Sequence, residues 1–233
     1  VSAEPRRIRP NAADVKAAVA RAQVTYAQLR IGGAPPEEAT AWFRTAARQG
    51  DARAINMLGR ACELGWGMRA DLKAAAKHYA RAAALGDAWA MFNLADLTLN
   101  GRGVPADEGQ AYALYEQAGS LGHAKALNMM GLLRETGRGA ERDDALALDL
   151  FRAAAEGGDC WGAFNLARRL ADDGVMDEAL VWIERAIEAG FPDFWRTAAA
   201  LLATHPDTRA RALGRLALAR AATPDEAGRR PST

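Results

Sequence analysis

The sequence predicts an all-α fold of stacked antiparallel helix pairs, and three observations carry that expectation. Glycines recur at Gly50, Gly86, Gly122 and Gly158, 36 residues apart each time, and Gly190 follows after 32. Two further series keep the same register: Phe43, Tyr79, Tyr115, Phe151 and Ile183, and Ala46, Ala82, Ala118, Ala154 and Ala186. Ala is abundant while aromatics make up only 7% of the 233 residues. Many small residues with a few large ones suit closely packed helices better than sheets, which favour Val, Ile and Thr. A fixed period of this length is the signature of a repeat architecture.

Each repeat reads as two helices. The first begins after Asp51, Asp87 or Asp159, whose carboxylates can cap free backbone N–H groups and oppose the helix dipole. His123 takes that place in the third repeat, where a poorer and exposed cap is expected. Leu58, Leu94, Met130 and Leu166 are the recurring apolar positions, and Gly65, Gly101 or Gly137 supplies the left-handed residue that ends the helix. Asp71, Asp107 and Asp143 then cap the second helix, which runs to the 36-spaced glycine. One such pair cannot bury its apolar face alone, so the pairs must stack.

This divides the chain into a flexible segment 1–11, a degenerate helix pair 12–50 and four repeats, 51–86, 87–122, 123–158 and 159–190. Capping helices at 191–221, broken at Pro206, and a mobile tail at 222–233 complete it. The stretches "DARAINMLGR", "DAWAMFNLAD", "HAKALNMMGL" and "DCWGAFNLAR" open the four repeats. Their pattern of Gly-Asp-Ala, Asn-Leu, Gly-Arg-Gly-Val, Asp and an aromatic-Ala-Ala helix resembles the Sel-1-like repeat. "GDAWAMFNLADLTLNGRGVPADEGQAYALYEQA" carries that resemblance best. It spans about residues 38–190 and implies a TPR-like, right-handed superhelical α-solenoid whose first helices line a concave face. Two features depart from the family. The fourth repeat lacks the Gly-x-Gly-Val loop, and the cysteine pairs that some members carry within each repeat are missing here.

Formal net charge is +1, so bulk electrostatics favours neither nucleic acid nor a membrane surface. The charge is unevenly placed, with a net −7 over residues 141–190, either solvated helix faces or a patch for a basic partner. No apolar run approaches the roughly 18–20 residues of a membrane span. His78, His123 and His205 fall in no metal-binding spacing, and His78 stands where Trp42 and Trp182 stand in other repeats. "NGRGVPAD" and "TGRGAERD" lack the Gly-Lys-Ser/Thr ending of a phosphate loop and read as turns. Cys62 reads as core and Cys160 as partly exposed; almost three repeats apart, they are not expected to pair. No catalytic set, cofactor or metal is expected.

The first helices alternate with a period of 72 residues. One position runs Arg53, Trp89, Lys125, Trp161; three residues on, it runs Asn56, Phe92, Asn128, Phe164. The next gives Met57, Asn93, Met129, Asn165, and two beyond that Gly59, Ala95, Gly131, Ala167. Residues three apart share a helix face. The expected partner surface is therefore a groove of Trp–Phe anchors flanked by cation–amide pairs, with Trp66 as a further loop contact. For Phe92 and Phe164 packing and contact both stay open, and Trp89 and Trp161 are expected to be the more exposed.

These features favour a non-catalytic adaptor that takes a protein or peptide on the concave face. The resemblance also permits a cell-envelope or exopolysaccharide assembly factor, with glycan stacked on the aromatics, and exposed end helices allow self-association. Bacterial members are often exported, so the resemblance implies a periplasmic rather than a cytoplasmic setting.

Overall fold

The computed structural model describes residues 13, 16–17, 19–22 and 35–222. The expected segment 1–11, much of the pair 12–50 and the tail from 223 lie outside the described residues. Among the described residues there is no strand, and no helix is long and apolar enough to cross a membrane.

The chain divides into two compact units, Val1–Ala106 and Asp107–Thr233. The first holds α1 (Pro36–Arg48), α2 (Ala52–Leu64), α3 (Leu72–Ala83) and α4 (Ala88–Leu99), each packed on the next. The second holds α5 (Glu108–Ser120), α6 (Ala124–Thr136), α7 (Asp144–Glu156), α8 (Cys160–Asp172), α9 (Met176–Ala189), α10 (Pro192–Leu202) and α11 (Thr208–Ala222).

The helix boundaries follow from the caps. Asp51, Asp87 and Asp159 accept from Ala54, Ala90 and Gly162 N–H at 2.7, 2.7 and 2.8 Å. Asp71, Asp107 and Asp143 accept from Ala74, Gln110 and Leu146 N–H, each at 2.9 Å. Each such cap contributes about 1 kcal/mol to its helix. His123 also caps, its Nδ1 accepting from Ala126 N–H at the longer distance of 3.2 Å, but it is buried rather than exposed. An accepting Nδ1 requires a neutral ring, and burial, with Lys125 next in effect, lowers the pKa accordingly.

Both sequence registers lie in the interior. Ala46, Ala82, Ala118, Ala154 and Ala186 are all fully buried, as are Tyr79, Tyr115 and Phe151. A Cβ on Gly59 would meet the Tyr79 ring at 2.7 Å, and one on Gly131 would meet Phe151 at 2.6 Å. The glycines of the 72-residue alternation therefore make room for the aromatic of the following helix.

The Gly-x-Gly loops divide the work between their two glycines. The first ends the helix with positive φ, as at Gly65 (73°) and Gly137 (71°). The second lies against the start of the preceding repeat's second helix. A Cβ on Gly67 would come within 2.7 Å of Glu37 backbone, and one on Gly103 within 2.6 Å of Leu72 backbone. Gly139 approaches the Glu108 carbonyl in the same way. These loops pack repeat on repeat, and in the second and third the intervening Arg adds an ion pair: Arg102 with Glu63 at 3.2 Å and Arg138 with Glu108 at 2.7 Å.

The fourth repeat, without that loop, turns at Gly174 (φ 81°), and α9 follows Val175, which gives it no side-chain cap. Two helices follow, separated around Pro206 as expected. They hold on to α9 through the Ile187 carbonyl, which accepts from Trp195 Nε1 at 2.8 Å and Arg220 at 3.0 Å.

Candidate partner-binding surface

The first helices of successive repeats carry the candidate residues: α2 and α4 in the N-terminal unit, α6 and α8 in the C-terminal one. Arg53 and Lys125 are exposed, in the first turn of their helices. Each acts electrostatically on the capping aspartate of the next repeat. Burial raises the pKa of Asp87, while its Ala90 hydrogen bond and then Arg53 pull the other way. Burial raises Asp159 likewise, opposed by the Gly162 N–H and by Lys125. The recurring cation thus offsets the burial of a neighbouring carboxylate.

Asn56 and Asn128 depart from the expected surface role. Both are only 6% exposed. The Asn56 carboxamide oxygen accepts from Asn93 Nδ2 at 3.0 Å, and Asn128 accepts from Asn165 Nδ2 at 2.8 Å. The alternation Asn-Met, Phe-Asn is what places one amide on each side of a repeat junction. A buried carboxamide needs such a partner, and each pair satisfies it across two repeats.

The two Trp–Phe pairs, alike in sequence, differ in surroundings. Trp89 is 48% exposed and meets half-buried Phe92 edge to face at 6.4 Å. Trp161 is half-buried instead, because Phe194 of α10 packs edge-on against it at 4.8 Å and against Phe164 at 5.9 Å. Phe194 is itself fully buried. The exposure expected of both tryptophans therefore holds at Trp89 and fails at Trp161: α10 covers the second pair and makes it part of the cap's core. Trp66 is half-buried, and its carbonyl accepts from the Thr40 hydroxyl at 2.9 Å.

Cys160 is buried, against expectation, and burial pushes its thiol up to about 11. Cys62 is buried as expected, its thiol likewise raised, and both cysteines are free. Neither is poised as a thiolate nucleophile. His78 is half-buried, with burial and then Arg81 lowering its pKa. Among the described residues, no three His, Cys, Asp or Glu side chains are grouped to hold a metal ion.

Arg60 on α2 was not singled out by the sequence pattern. It is half-buried, and its Nε is shut from solvent without a hydrogen-bond partner among the described residues. Its one sequence signal is its register with Arg168, which pairs with Glu135.

The Sel1 repeat model matches residues 27–51, 52–87, 90–123, 124–159 and 163–191. Among solved structures, the chain is similar to a Sel1 repeat protein from Oxalobacter formigenes, at 24% identity and a TM-score of 0.75, covering 91% of each chain. It is also similar to c5321, a protective antigen of uropathogenic Escherichia coli with an SLR fold. That match has 23% identity and a TM-score of 0.62, over 80% of this chain and 42% of the other. The immunity protein Pa5087 from Pseudomonas aeruginosa matches at 15% identity and a TM-score of 0.63, over 92% and 83% of the two chains. At these identities the likeness establishes the fold. No curated protein matches the chain.

Proposed function

The chain belongs to the Sel1 repeat family, whose members are generally protein-interaction adaptors on a non-catalytic scaffold, and from that premise we propose that it binds a protein or peptide partner on its first-helix surface. Trp89 is the anchor in this reading. The observation that carries it is the exposure of an indole by nearly half, held in one orientation by its edge-to-face contact with Phe92. Large rigid aromatics beside arginine dominate binding energy at interfaces, because they bury much apolar area at little conformational cost. Arg53 supplies the cation. The surface lies wholly within the N-terminal compact unit.

Trp161 and Phe164 take a lesser part, since α10 already occupies their outer face. Lys125 contributes charge in the C-terminal unit, whereas the buried Asn56 and Asn128 contribute to the partner only by holding the first helices in register.

Crosslinked co-purification from the native cell tests the proposal. Trp89→Ala should abolish capture of a discrete partner with far-UV circular dichroism unchanged, and Trp161→Ala should leave capture intact in proportion to the folded fraction. Undiminished capture by the folded Trp89→Ala protein would contradict the proposed anchor.

A further inference from the structure

In the C-terminal unit, Arg168 of α8 is fully committed. One of its guanidinium nitrogens bridges both Glu135 carboxylate oxygens, at 2.7 and 2.9 Å, from the first helix of the preceding repeat. Arg60 occupies the same register on α2, but the residue standing in Glu135's register is Ala27, which carries no carboxylate. Arg60 forms no ion pair within 4.0 Å among the described residues, and its Nε has no acceptor. A buried donor left unmet is costly, and because the Arg60 side chain as a whole is only half-buried, a carboxylate arriving at its exposed part supplies the charge-assisted partner it lacks.

Seven residues before it stands Arg53, on the same stripe of α2, because seven residues are nearly two full turns. The two guanidinium groups thus spring from points about 10 Å apart along the helix. Arg53 is exposed and also makes no ion pair among the described residues. Glu63, the one carboxylate of α2, is already used by the Tyr79 hydroxyl at 2.7 Å and by Arg102. Leu64, 53% exposed, closes the stripe at its far end. On the neighbouring α4, Trp89 offers its exposed indole, and that helix holds a single carboxylate, Asp96. A partner's acidic groups must therefore seat on the α2 side and its apolar group on Trp89.

We infer that this surface takes an acidic peptide segment, with one carboxylate on Arg53, a second on Arg60 and an apolar side chain between them on Trp89. The inference rests on the Trp89 surface proposed above and adds the partner's chemistry. Guanidinium groups match carboxylates by paired, charge-assisted hydrogen bonds. In a peptide segment of polyproline II form, three residues span about 9 Å and return side chains i and i+3 to the same face, so the fitting spacing is two acids three positions apart.

Fluorescence anisotropy at low ionic strength, with the full chain, tests this. The probes are labelled eight-residue peptide pools around a central Leu or Phe: two aspartates three apart, two adjacent aspartates, or two asparagines three apart. The first pool should bind about tenfold more tightly than either of the others, the scale of one charge-assisted hydrogen bond. Arg60→Gln should remove that advantage, and Arg53→Gln should reduce it several-fold, each with unchanged helicity. Lys77→Gln, an equal charge change at an exposed position of α3, should leave binding as it was. Equal binding of the two aspartate pools, or an equal loss in Lys77→Gln, would show only general charge attraction and overturn the inference. If Trp89→Ala abolishes native capture while the aspartate pools bind no better than the asparagine pool, the adaptor reading stands and this inference falls. If aspartate binding depends on Arg60 but is indifferent to Trp89→Ala, the acidic partner stands and the Trp89 anchor falls.

Discussion

Breaking the Asn56–Asn93 pair gives a quantitative test of why the repeats alternate. The bond is 3.0 Å long, the acceptor is only 6% exposed and the donor residue is half-buried. Asn93→Ala removes the donor and leaves the Asn56 carboxamide buried without it, a cost of about 1–3 kcal/mol. Asn56→Ala leaves the Asn93 amide short of a partner, but half-exposure lets water replace it, so the loss falls at the low end of that range. The double variant loses both polar groups together and forfeits only the net value of the bond and the packing. The cycle should thus return a coupling of about 1 kcal/mol, measured by urea unfolding followed by circular dichroism. Additivity within about 0.3 kcal/mol would refute the claim that the amides act as a pair. Asn128 and Asn165, bonded at 2.8 Å, should repeat the result in the C-terminal unit.

Phe194→Ala removes a fully buried ring that touches both Trp161 and Phe164, so it should cost about 3–5 kcal/mol and red-shift Trp161 fluorescence. A loss below about 1 kcal/mol would deny that α10 holds the fourth repeat closed. Gly139→Ala should destabilise by at least about 1–2 kcal/mol, from its positive φ of 70° and from collision with the Glu108 carbonyl; a neutral result in urea would reject the loop-docking role. Asp159 has a folded pKa raised by burial above its ordinary 3.8. The folded state therefore binds the proton more tightly, so this group favours folding below 3.8 and that contribution is lost as pH rises through the folded value. Asp159→Asn, still able to cap, should gain stability relative to wild type as pH rises above the ordinary 3.8, and an opposite trend in urea midpoints would contradict the burial argument.

Much of this architecture is legible in the chain itself because repetition averages out local ambiguity. Six capping aspartates, the Gly-x-Gly turns and the buried Ala and aromatic registers each follow from one residue's chemistry in several copies. What was misread depends on what lies across a repeat junction. The cap position looks like a loop, yet His123 and Asp159 are both buried there. Cys160, next to that cap, is buried with it. Trp161 repeats Trp89 in sequence, but the helix that follows it brings Phe194 rather than another copy of the pattern. Asn56 was expected to face a partner because its counterpart is Phe92; the pairing with Asn93 lies one position out of register and is visible only once two helices are set side by side. Arg60 escaped notice because its signal is the lack of an acid at position 27, and alignment of what is present does not show it.

A photo-crosslinking amino acid placed at position 89 tests the central claim most directly. The adaptor account predicts one discrete protein adduct in the native cell from that position, lost in Arg53→Glu, and none from the same group at position 77 on α3. Equal adducts from positions 89 and 77, or an adduct from 89 indifferent to Arg53→Glu, would contradict it.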